Sequence, residues 1–417
     1  MNYPGLGDLS LLDAVKMNQN LLSTENYEAD ESIMIHLTVT GRCYARCKGC
    51  VNSAITMASD EPRNTIVAFQ ETEPERDAAI IRELASRLGR QKITVCFYGG
   101  EPFLAADKME KVWRILKNFE QGNRFRFMVY TNGEFLTKAL ELYPEFMNGI
   151  WLYSISIDGD EEQHDRVRQG THLNKIKRNL ERLSESYKGH VLQWSTLREE
   201  QSLFNCFKEF LRLYESGLVN HFFWHWAEDR KPFDNFSSYL KSYGQELERI
   251  IEVYIQEISK GRILPMAHIN ELILYLLTGR ERGHTACGVE LAKNYDIVSG
   301  KVYSCADLPS SLSIGELDEE GRLKLREYDL DSLVAYKDWL GCSRCGVQAY
   351  CGGRCPVQVV AGSRERVYQY CQLMRLHVGI VQRRIREILK GLEKNRISLQ
   401  EVYDRSAFLA KYTDVVP

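Results

Sequence analysis

From residue 31 to residue 226 the sequence alternates strand-like with helix-like runs, and this alternation limits the fold more than any other feature of the chain. Residues 33–39 place an apolar side chain at every second position, whereas residues 80–88 repeat theirs with helical spacing. Strands that alternate with helices form a parallel sheet with right-handed crossovers. The predicted strands cover residues 33–39, 93–98, 126–130, 151–157, 191–196 and 219–226.

Six such units fall short of a closed eight-fold barrel, so the sequence predicts an α/β fold built on an open, partial (β/α)6 barrel of the TIM type. Its chemistry is expected at the carboxyl ends of the strands. Two helices follow, at 239–259 and 268–277, and a last amphipathic helix is predicted at 376–392. The predicted units are an N-terminal segment (1–30), the partial barrel (31–235), a helical linker (236–285), a cysteine-rich unit (286–375) and a C-terminal helix and tail (376–417).

The composition is that of a folded enzyme and points to no charged partner. Lys and Arg number 54 against 57 Asp and Glu, so nothing in the net charge of −3 favours nucleic acid or an anionic membrane. No apolar run approaches the roughly 18 residues that a membrane span needs, and the first residues lack the pattern of a secretion signal. A cytoplasmic protein is expected.

The chain has 12 cysteines, most of them in two groups. Because the cytosol keeps thiols reduced, grouped cysteines there indicate metal or iron–sulfur ligands before they indicate disulfides. Cys43, Cys47 and Cys50 form the pattern C-x3-C-x2-C in the loop after the first strand. Three thiolates can hold three corners of a [4Fe-4S] cluster and leave the fourth iron for another ligand. A zinc site would normally need a fourth protein ligand, and none lies close in sequence.

A second motif, Gly99-Gly100-Glu101, follows the second strand. Together with the C-x3-C-x2-C loop it resembles the radical S-adenosylmethionine (SAM) superfamily, in which the amine and carboxylate of SAM chelate the open iron. The resemblance implies that the two glycines and Glu101 receive the SAM amino group. It also implies that the reduced cluster splits SAM into methionine and a 5'-deoxyadenosyl radical, which abstracts hydrogen from an unactivated carbon.

Four further residues match the family more loosely. Asn132 ends the third strand, Ser156 and Asp158 end the fourth, and Arg168 follows. The resemblance implies that the serine and aspartate contact the ribose of SAM and that the arginine contacts its carboxylate. For Asn132 and Asp158, ordinary turn capping is an equal alternative.

One position departs from the family pattern. Gly49 stands before the third cysteine, where the family usually has an aromatic residue beside the adenine. Tyr44 is a candidate to replace that ring by proximity alone.

The second group of cysteines resembles the SPASM extension of radical SAM enzymes, and the likeness spans about residues 31–375. That extension carries two auxiliary [4Fe-4S] clusters, so three clusters and SAM are the implied cofactors. By the usual connectivity the outer auxiliary cluster would be held by Cys342, Cys345, Cys351 and Cys371, and the inner one by Cys287, Cys305 and Cys355.

The inner auxiliary cluster lacks a fourth cysteine. Its remaining iron could be open, or bound by Glu290, Asp307 or water. Asp307 is also a candidate catalytic carboxylate, although sulfatase-maturing relatives carry their aspartate directly after the second SPASM cysteine, where this chain has Ala306. Sulfatase maturation is therefore disfavoured.

The remaining candidates are two isolated cysteines and the end of the sixth strand. Cys96 and Cys206 are expected to be buried structural thiols. The last strand ends in Trp224, His225, Trp226 and Glu228, where similar enzymes line the substrate cavity, with core packing as the alternative for the tryptophans.

The predicted function is oxidative modification or crosslinking of a peptide or protein by radical SAM/SPASM chemistry. An oxidoreductase acting on a small molecule or cofactor precursor is the alternative enzyme, and an iron–sulfur electron carrier or redox sensor is the alternative of another class. The implied partners are an electron donor such as flavodoxin or ferredoxin and a separate leader-peptide-binding protein.

Overall fold

The computed structural model describes residues 27–50, 71–291, 294–305, 313–326, 329 and 331–413. In chain order the strands are β1 (Ile33–Thr40), β2 (Arg46–Cys47), β3 (Ile93–Gly99), β4 (Phe125–Thr131), β5 (Leu152–Ser156), β6 (Arg168–Gln169), β7 (His190–Leu197), β8 (His221–Trp226), β9 (Asn294–Val298), β10 (Lys301–Tyr303), β11 (Gly315–Leu317) and β12 (Leu323–Leu325).

The α-helices are α1 (Pro74–Arg87), α2 (Ala106–Lys117), α3 (Leu136–Leu142), α4 (Pro144–Gly149), α5 (Glu161–Val167), α6 (Leu173–Ser184), α7 (Leu203–Glu215), α8 (Phe236–Ser259), α9 (Ala267–Thr278), α10 (Tyr336–Leu340), α11 (Gln348–Cys351), α12 (Pro356–Ala361), α13 (Arg364–Asn395) and α14 (Leu399–Arg405). Short 3-10 helices cover Pro102–Ala105, Gly122–Arg124, Val289–Leu291, Asp331–Val334, Cys342–Arg344 and Ala407–Tyr412. None of the helices in these ranges is long and apolar enough to cross a membrane.

The six predicted barrel strands are confirmed as neighbours in one parallel sheet, in the order β1, β3, β4, β5, β7, β8. Helices lie between consecutive barrel strands as the periodicity predicts. For example, α1 precedes β3 and α7 precedes β8. The structure therefore has the partial barrel and C-terminal extension that the sequence predicts, and it brings the carboxyl ends of six strands to one rim.

The cysteine-rich unit continues this sheet. The predicted hairpin forms with Ser299 and Gly300 at its turn, both at positive φ (53° and 78°). Its first strand, β9, also pairs in parallel with the free edge of β1, so that His36 lies opposite Asp296. The pairing is reinforced by the His36 ring, whose Nδ1 lies 3.1 Å from Asn294 Oδ1. No local pattern predicts this pairing, because the two strands are more than 250 residues apart in the chain.

The helix predicted at 376–392 is α13, which begins at Arg364, well before its predicted start, and therefore carries Cys371. It packs against α8 and α9. The chain then returns to the barrel, and residues 407–412 close its amino-terminal end. Leu409 and Tyr412 pack there against inward-facing side chains of the strands, among them Met34 and Phe223.

Side chains alternate between two environments along every barrel strand, as the period of two requires. Cys96 belongs to the inward-facing cluster, and its neighbours Val95 and Phe97 pack outward in the main core. Cys206 lies in that main core too, and both cysteines are fully buried, as predicted.

We expect Leu409→Ala to lower the free energy of unfolding by about 2 to 5 kcal/mol, because it leaves a cavity at the closed end of the barrel. Leu409 is 0% exposed. Urea unfolding followed by circular dichroism measures the change. Leu142→Ala is the matched control. Leu142 is 58% exposed, so this substitution should lower the free energy of unfolding by no more than about 0.5 kcal/mol. Equal stabilities of the two variants would contradict the closing role of residues 407–412.

Candidate iron–sulfur and cofactor site

The cysteine loop follows β1 at the carboxyl rim of the barrel. Its strand β2 pairs with β6, so that Cys47 lies opposite Arg168. The Lys48 amide extends the pairing by donating to the Val167 carbonyl at 2.8 Å. Cys43 is exposed, and Cys47 and Cys50 are half-buried, so all three thiols are accessible at the rim. Thiolates suit iron, and this donor set fits three corners of a [4Fe-4S] cluster.

The Gly99–Glu101 segment lies directly against the start of this loop. The Gly100 amide donates to the Thr40 carbonyl at 2.8 Å, and the Glu101 amide donates to the Arg42 carbonyl at 2.9 Å. A Cβ on Gly100 would lie 2.3 Å from the Arg42 carbonyl oxygen. The second glycine is therefore required for contact between two backbone segments of the protein.

The Glu101 side chain is buried, at 0% exposure. Its Oε1 accepts from Thr131 Oγ1 at 2.8 Å and from the Phe103 amide at 3.1 Å, and its Oε2 accepts from the Asn132 amide at 2.9 Å. Burial raises the pKa of Glu101 to about 7, although these hydrogen bonds oppose the rise. The carboxylate thus joins the ends of β3 and β4. Its contact with the SAM amino group stays a prediction.

Asn132 shows the capping geometry that the sequence left open. Its Oδ1 accepts from the Glu134 amide and from the Tyr44 hydroxyl, both at 3.0 Å. Tyr44 also packs edge-to-face on Phe135, with ring centroids 5.2 Å apart. The tyrosine therefore ties the cysteine loop to the end of β4, and whether Tyr44 or Asn132 contacts a cofactor stays a prediction.

Asp158 lies at the centre of a buried ion cluster with Arg168 and Arg198. Its Oδ2 accepts from Arg168 Nε and from Arg198 Nη1, both at 2.7 Å, and its Oδ1 accepts from the Thr196 amide at 2.8 Å. The two guanidinium groups hold the pKa of Asp158 well below its usual range, although burial opposes that shift. Ser156, at the end of β5, is half-buried.

Arg198 was missed by the motif analysis. It follows β7 directly, at the rim where the chemistry is expected, and that position is the one signal in the sequence that could have found it. Its side chain also donates to the Lys48 carbonyl of the cysteine loop.

Neighbouring residues at the end of β8 face opposite ways. Trp224 and Trp226 are buried outside the barrel in the main core, which confirms the packing alternative, and Trp224 Nε1 donates to the Tyr243 hydroxyl at 3.3 Å. His225 shares the inward face of Phe223, and its Nε2 lies 3.0 Å from Thr196 Oγ1. Burial lowers the pKa of His225 to about 3, so its imidazole is neutral near pH 7.

The inner wall above the closed end of the barrel is largely aromatic. Tyr98, Tyr130 and Trp194 are half-buried, and their rings are in edge-to-face contact in series: Tyr98 with Tyr130 at 6.0 Å and Tyr130 with Trp194 at 5.2 Å. Trp194 in turn contacts the ring of His225 at 5.3 Å. These rings pack on the inward-facing cluster that contains Cys96 and Phe223, so they are candidates for the wall of a substrate site.

Four cysteines of the second group lie close enough to influence one another. Burial raises the pKa of Cys342 to about 11 and that of Cys371 to about 12, and the thiols of Cys345 and Cys351 add to both shifts. These are the four thiols expected at the outer auxiliary cluster. Among the described residues no three Cys, His, Asp or Glu side chains converge on a single-ion site, whereas a cubane cluster spreads its thiolates around four irons.

Glu290, a candidate ligand of the inner auxiliary cluster, already has protein partners. Its carboxylate accepts from the Thr285 amide at 2.8 Å, the Thr285 hydroxyl at 2.6 Å and Lys337 Nζ at 3.1 Å. These bonds lower the pKa of Glu290, although burial of the carboxylate acts to raise it. Thr285 Oγ1 lies 3.6 Å from Cys287 Sγ, which places Glu290 beside that thiol. Asp307 lies outside the described residues.

Gly100→Ala should displace the cysteine loop, because the new Cβ would overlap the Arg42 carbonyl. We expect the anaerobically reconstituted variant to lose about four irons per chain relative to the parent. Iron analysis measures the loss. Gly217→Ala is the control. Gly217 faces open space, and an alanine at its positive φ of 71° costs only about 1 to 2 kcal/mol of stability, so this variant should keep its iron. A Gly100→Ala protein with full iron content would refute the steric argument.

The raised pKa of Glu101 predicts a pH-dependent stability of the ligand-free protein. Between its ordinary value of 4.5 and its native value of about 7, the native carboxyl holds more proton than the unfolded one, so stability falls as pH rises. Relative to Glu101→Gln, we expect the parent to lose about 2 to 3 kcal/mol from about pH 5 to about pH 8. Urea unfolding at each pH measures this difference. Glu141→Gln, at an exposed position, is the control variant, and a flat difference for Glu101→Gln would disprove the burial effect.

Comparison with known proteins agrees with this geometry. Residues 37–197 match the family model described as the radical SAM superfamily. The structure of native anSMEcpe with bound AdoMet superposes with a TM-score of 0.66 at 16% sequence identity, over 86% of this chain and 99% of that chain. The structure of native anSMEcpe with bound AdoMet and Cp18Cys peptide gives the same values. No curated protein sequence matches the chain. The matched segment begins in β1 and ends with β7, and it contains the cysteine loop, the Gly-Gly-Glu segment and the Asp158–Arg168 pair. Residues 37–197 are therefore the part of this chain that resembles the radical SAM superfamily.

Proposed function

We propose that this protein is a radical SAM/SPASM enzyme that oxidatively modifies or crosslinks a peptide or protein. The observation that carries the proposal is the convergence, at the carboxyl rim of the barrel, of the cysteine loop, the Gly-Gly-Glu segment and the buried Asp158 cluster. When bound, a [4Fe-4S] cluster and SAM supply the reductive cleavage that generates a carbon radical for hydrogen abstraction. Everything else is done by the chain's own residues.

Cys43, Cys47 and Cys50 would hold the cluster at the rim. The backbone contacts of Gly100 and Glu101 fix the start of that loop, and the pairing of β2 with β6 fixes its middle. The ends of β3, β4 and β5 form the adjoining edge, where Ser156 is accessible for a cofactor contact. The site is thus organised by hydrogen bonds within the chain and needs little rearrangement to bind its cofactors.

The inner wall favours an uncharged reacting group. Tyr98, Tyr130 and Trp194 offer apolar faces, and His225 is neutral at physiological pH. The nearby charges of Asp158 and Arg168 are committed to each other. Such a wall would exclude water and competing hydrogen donors while one C–H bond is held below the cysteine loop.

A peptide substrate is the first choice among substrate classes. A protein of the same fold has been solved with AdoMet and a peptide together, which is the support that the comparisons lend to this choice. The proximity of Cys342, Cys345, Cys351 and Cys371 supports an outer auxiliary cluster, through which an external donor or acceptor would exchange electrons.

The test is anaerobic reconstitution followed by reduction in the presence of SAM. We expect about twelve irons per chain and release of 5'-deoxyadenosine. Replacing Cys43, Cys47 and Cys50 together by alanine should remove about four irons and abolish that release while the remaining iron stays bound. Replacing Cys96 and Cys206, which lie in the core away from both groups, should leave the iron content unchanged.

Zinc in place of iron in the metal analysis would contradict the proposal. Full iron without any 5'-deoxyadenosine would instead favour the electron carrier or redox sensor.

A further inference from the structure

Arg198 connects three parts of the site that no other described side chain joins. Its Nε donates to the carbonyl of Lys48, between the second and third cysteines of the loop. Its Nη1 donates to Asp158 Oδ2 at 2.7 Å and to the Thr196 carbonyl at 2.8 Å. The side chain is 6% exposed, so these bonds form away from bulk water and are strong.

The guanidinium is itself held in place by its own loop. Gln201 Oε1 accepts from Arg198 Nη1 and from the Arg198 amide, both at 3.0 Å. The Gln201 amide donates back to the Arg198 carbonyl at 3.1 Å. The guanidinium of Arg198 is therefore held in a fixed position with its Nε directed at the cysteine loop, which a flexible surface arginine could not do.

The turn that Arg198 contacts is also held by the Lys48 amide, which donates to the Val167 carbonyl at 2.8 Å, and by the ion pair of Lys48 with Glu200. Gly49, next to Lys48, is at a φ of 61° and has no side chain to pack. A Cβ built on Gly49 would lie 3.9 Å from Arg198 Nε, so the guanidinium lies beside the turn and takes up the space next to it. The hydrogen bond to Lys48 therefore replaces the packing that a larger residue would supply.

The three side chains of Asp158, Arg168 and Arg198 together carry a net positive charge. Arg168 and Arg198 share a single carboxylate, so the buried group has a net charge of +1. Arg168 lies opposite Cys47 in the pairing of β2 with β6, and Arg198 donates to the Lys48 carbonyl, so both residues lie beside the cysteine loop. A positive charge held in a low-dielectric site favours electron uptake by a neighbouring redox centre.

The two arginines have different hydrogen-bond partners. Arg168 donates from its Nε and Nη2 to Asp158 and from Nη2 to Thr196. Arg198 has its Nε left for the cysteine loop, so its side chain couples the turn at Lys48 to the ends of β5 and β7.

We propose that Arg198 is a positioning residue that fixes the turn between Cys47 and Cys50 and makes the N-terminal iron–sulfur cluster easier to reduce. This inference rests on the proposed cluster at Cys43, Cys47 and Cys50. Its two parts, hydrogen-bond geometry and charge, are separable because lysine keeps the charge but lacks the fork of donors.

The experiment compares Arg198→Met, Arg198→Lys and the parent as full-length, anaerobically reconstituted proteins. Redox titration followed by electron paramagnetic resonance gives the midpoint potential of the cluster whose signal shifts on addition of SAM, and equilibrium binding gives the affinity for SAM. For Arg198→Met we expect a more negative potential and an affinity lower by roughly tenfold. For Arg198→Lys we expect a potential close to that of the parent with the affinity still reduced.

Arg126→Met is the matched control. Arg126 is a largely buried arginine paired with Asp30 at the opposite end of the barrel, so its loss should change neither quantity. If Arg198→Met does not fold, Arg198→Lys decides, because reduced affinity at an unchanged potential supports the proposal and parental values of both overturn it.

Parental potential and affinity in Arg198→Met would overturn the inference and leave the proposed function intact. A parent protein with no SAM-sensitive cluster signal would overturn the proposed function and this inference with it.

Discussion

The site depends on a close approach between two stretches of backbone, the end of β3 and the beginning of the cysteine loop. The amide of Gly100 reaches the Thr40 carbonyl at 2.8 Å, and a side chain on Gly100 would overlap the Arg42 carbonyl. A strand end that lacks side chains can lie this close to its neighbour, and the cysteine loop is thereby held over the barrel. The close packing of these glycines therefore determines where the thiols can lie.

Around this contact the buried carboxyl groups of Glu101 and Asp158 take their hydrogen bonds from the protein itself. Glu101 accepts three hydrogen bonds from the ends of β3 and β4, and Asp158 accepts bonds from two arginines. An unpaired buried charge is costly, so each of these pairings is strongly specified. The same pairings give the rim a fixed shape before any cofactor binds, which is a condition for precise aim at one bond.

The cysteine-rich unit is attached to the barrel through the sheet itself and through side chains at its rim. β9 adds to the free edge of β1, and Tyr370 and Arg366 of α13 donate to the Ala227 carbonyl just beyond β8. Both edges of the partial barrel are thus in contact with the C-terminal half of the chain. A shift of that half would be transmitted to the strands that carry the site.

The sequence by itself determined the elements and the motifs. A period of two or of 3.6 is local, and it located the six barrel strands and the helices between them; the spacing of Cys43, Cys47 and Cys50 is equally local. The tertiary structure alone decided which distant segments meet: that β9 joins β1, that Arg198 bonds to the cysteine loop, and that the Glu101 carboxylate is buried instead of exposed. It also decided that Trp224 faces the helices while His225 faces the cavity, because alternation shows that neighbours differ but not which face is inside. Contacts between residues far apart in sequence depend on how the strands twist and on which edges stay free, and a linear pattern does not contain that information.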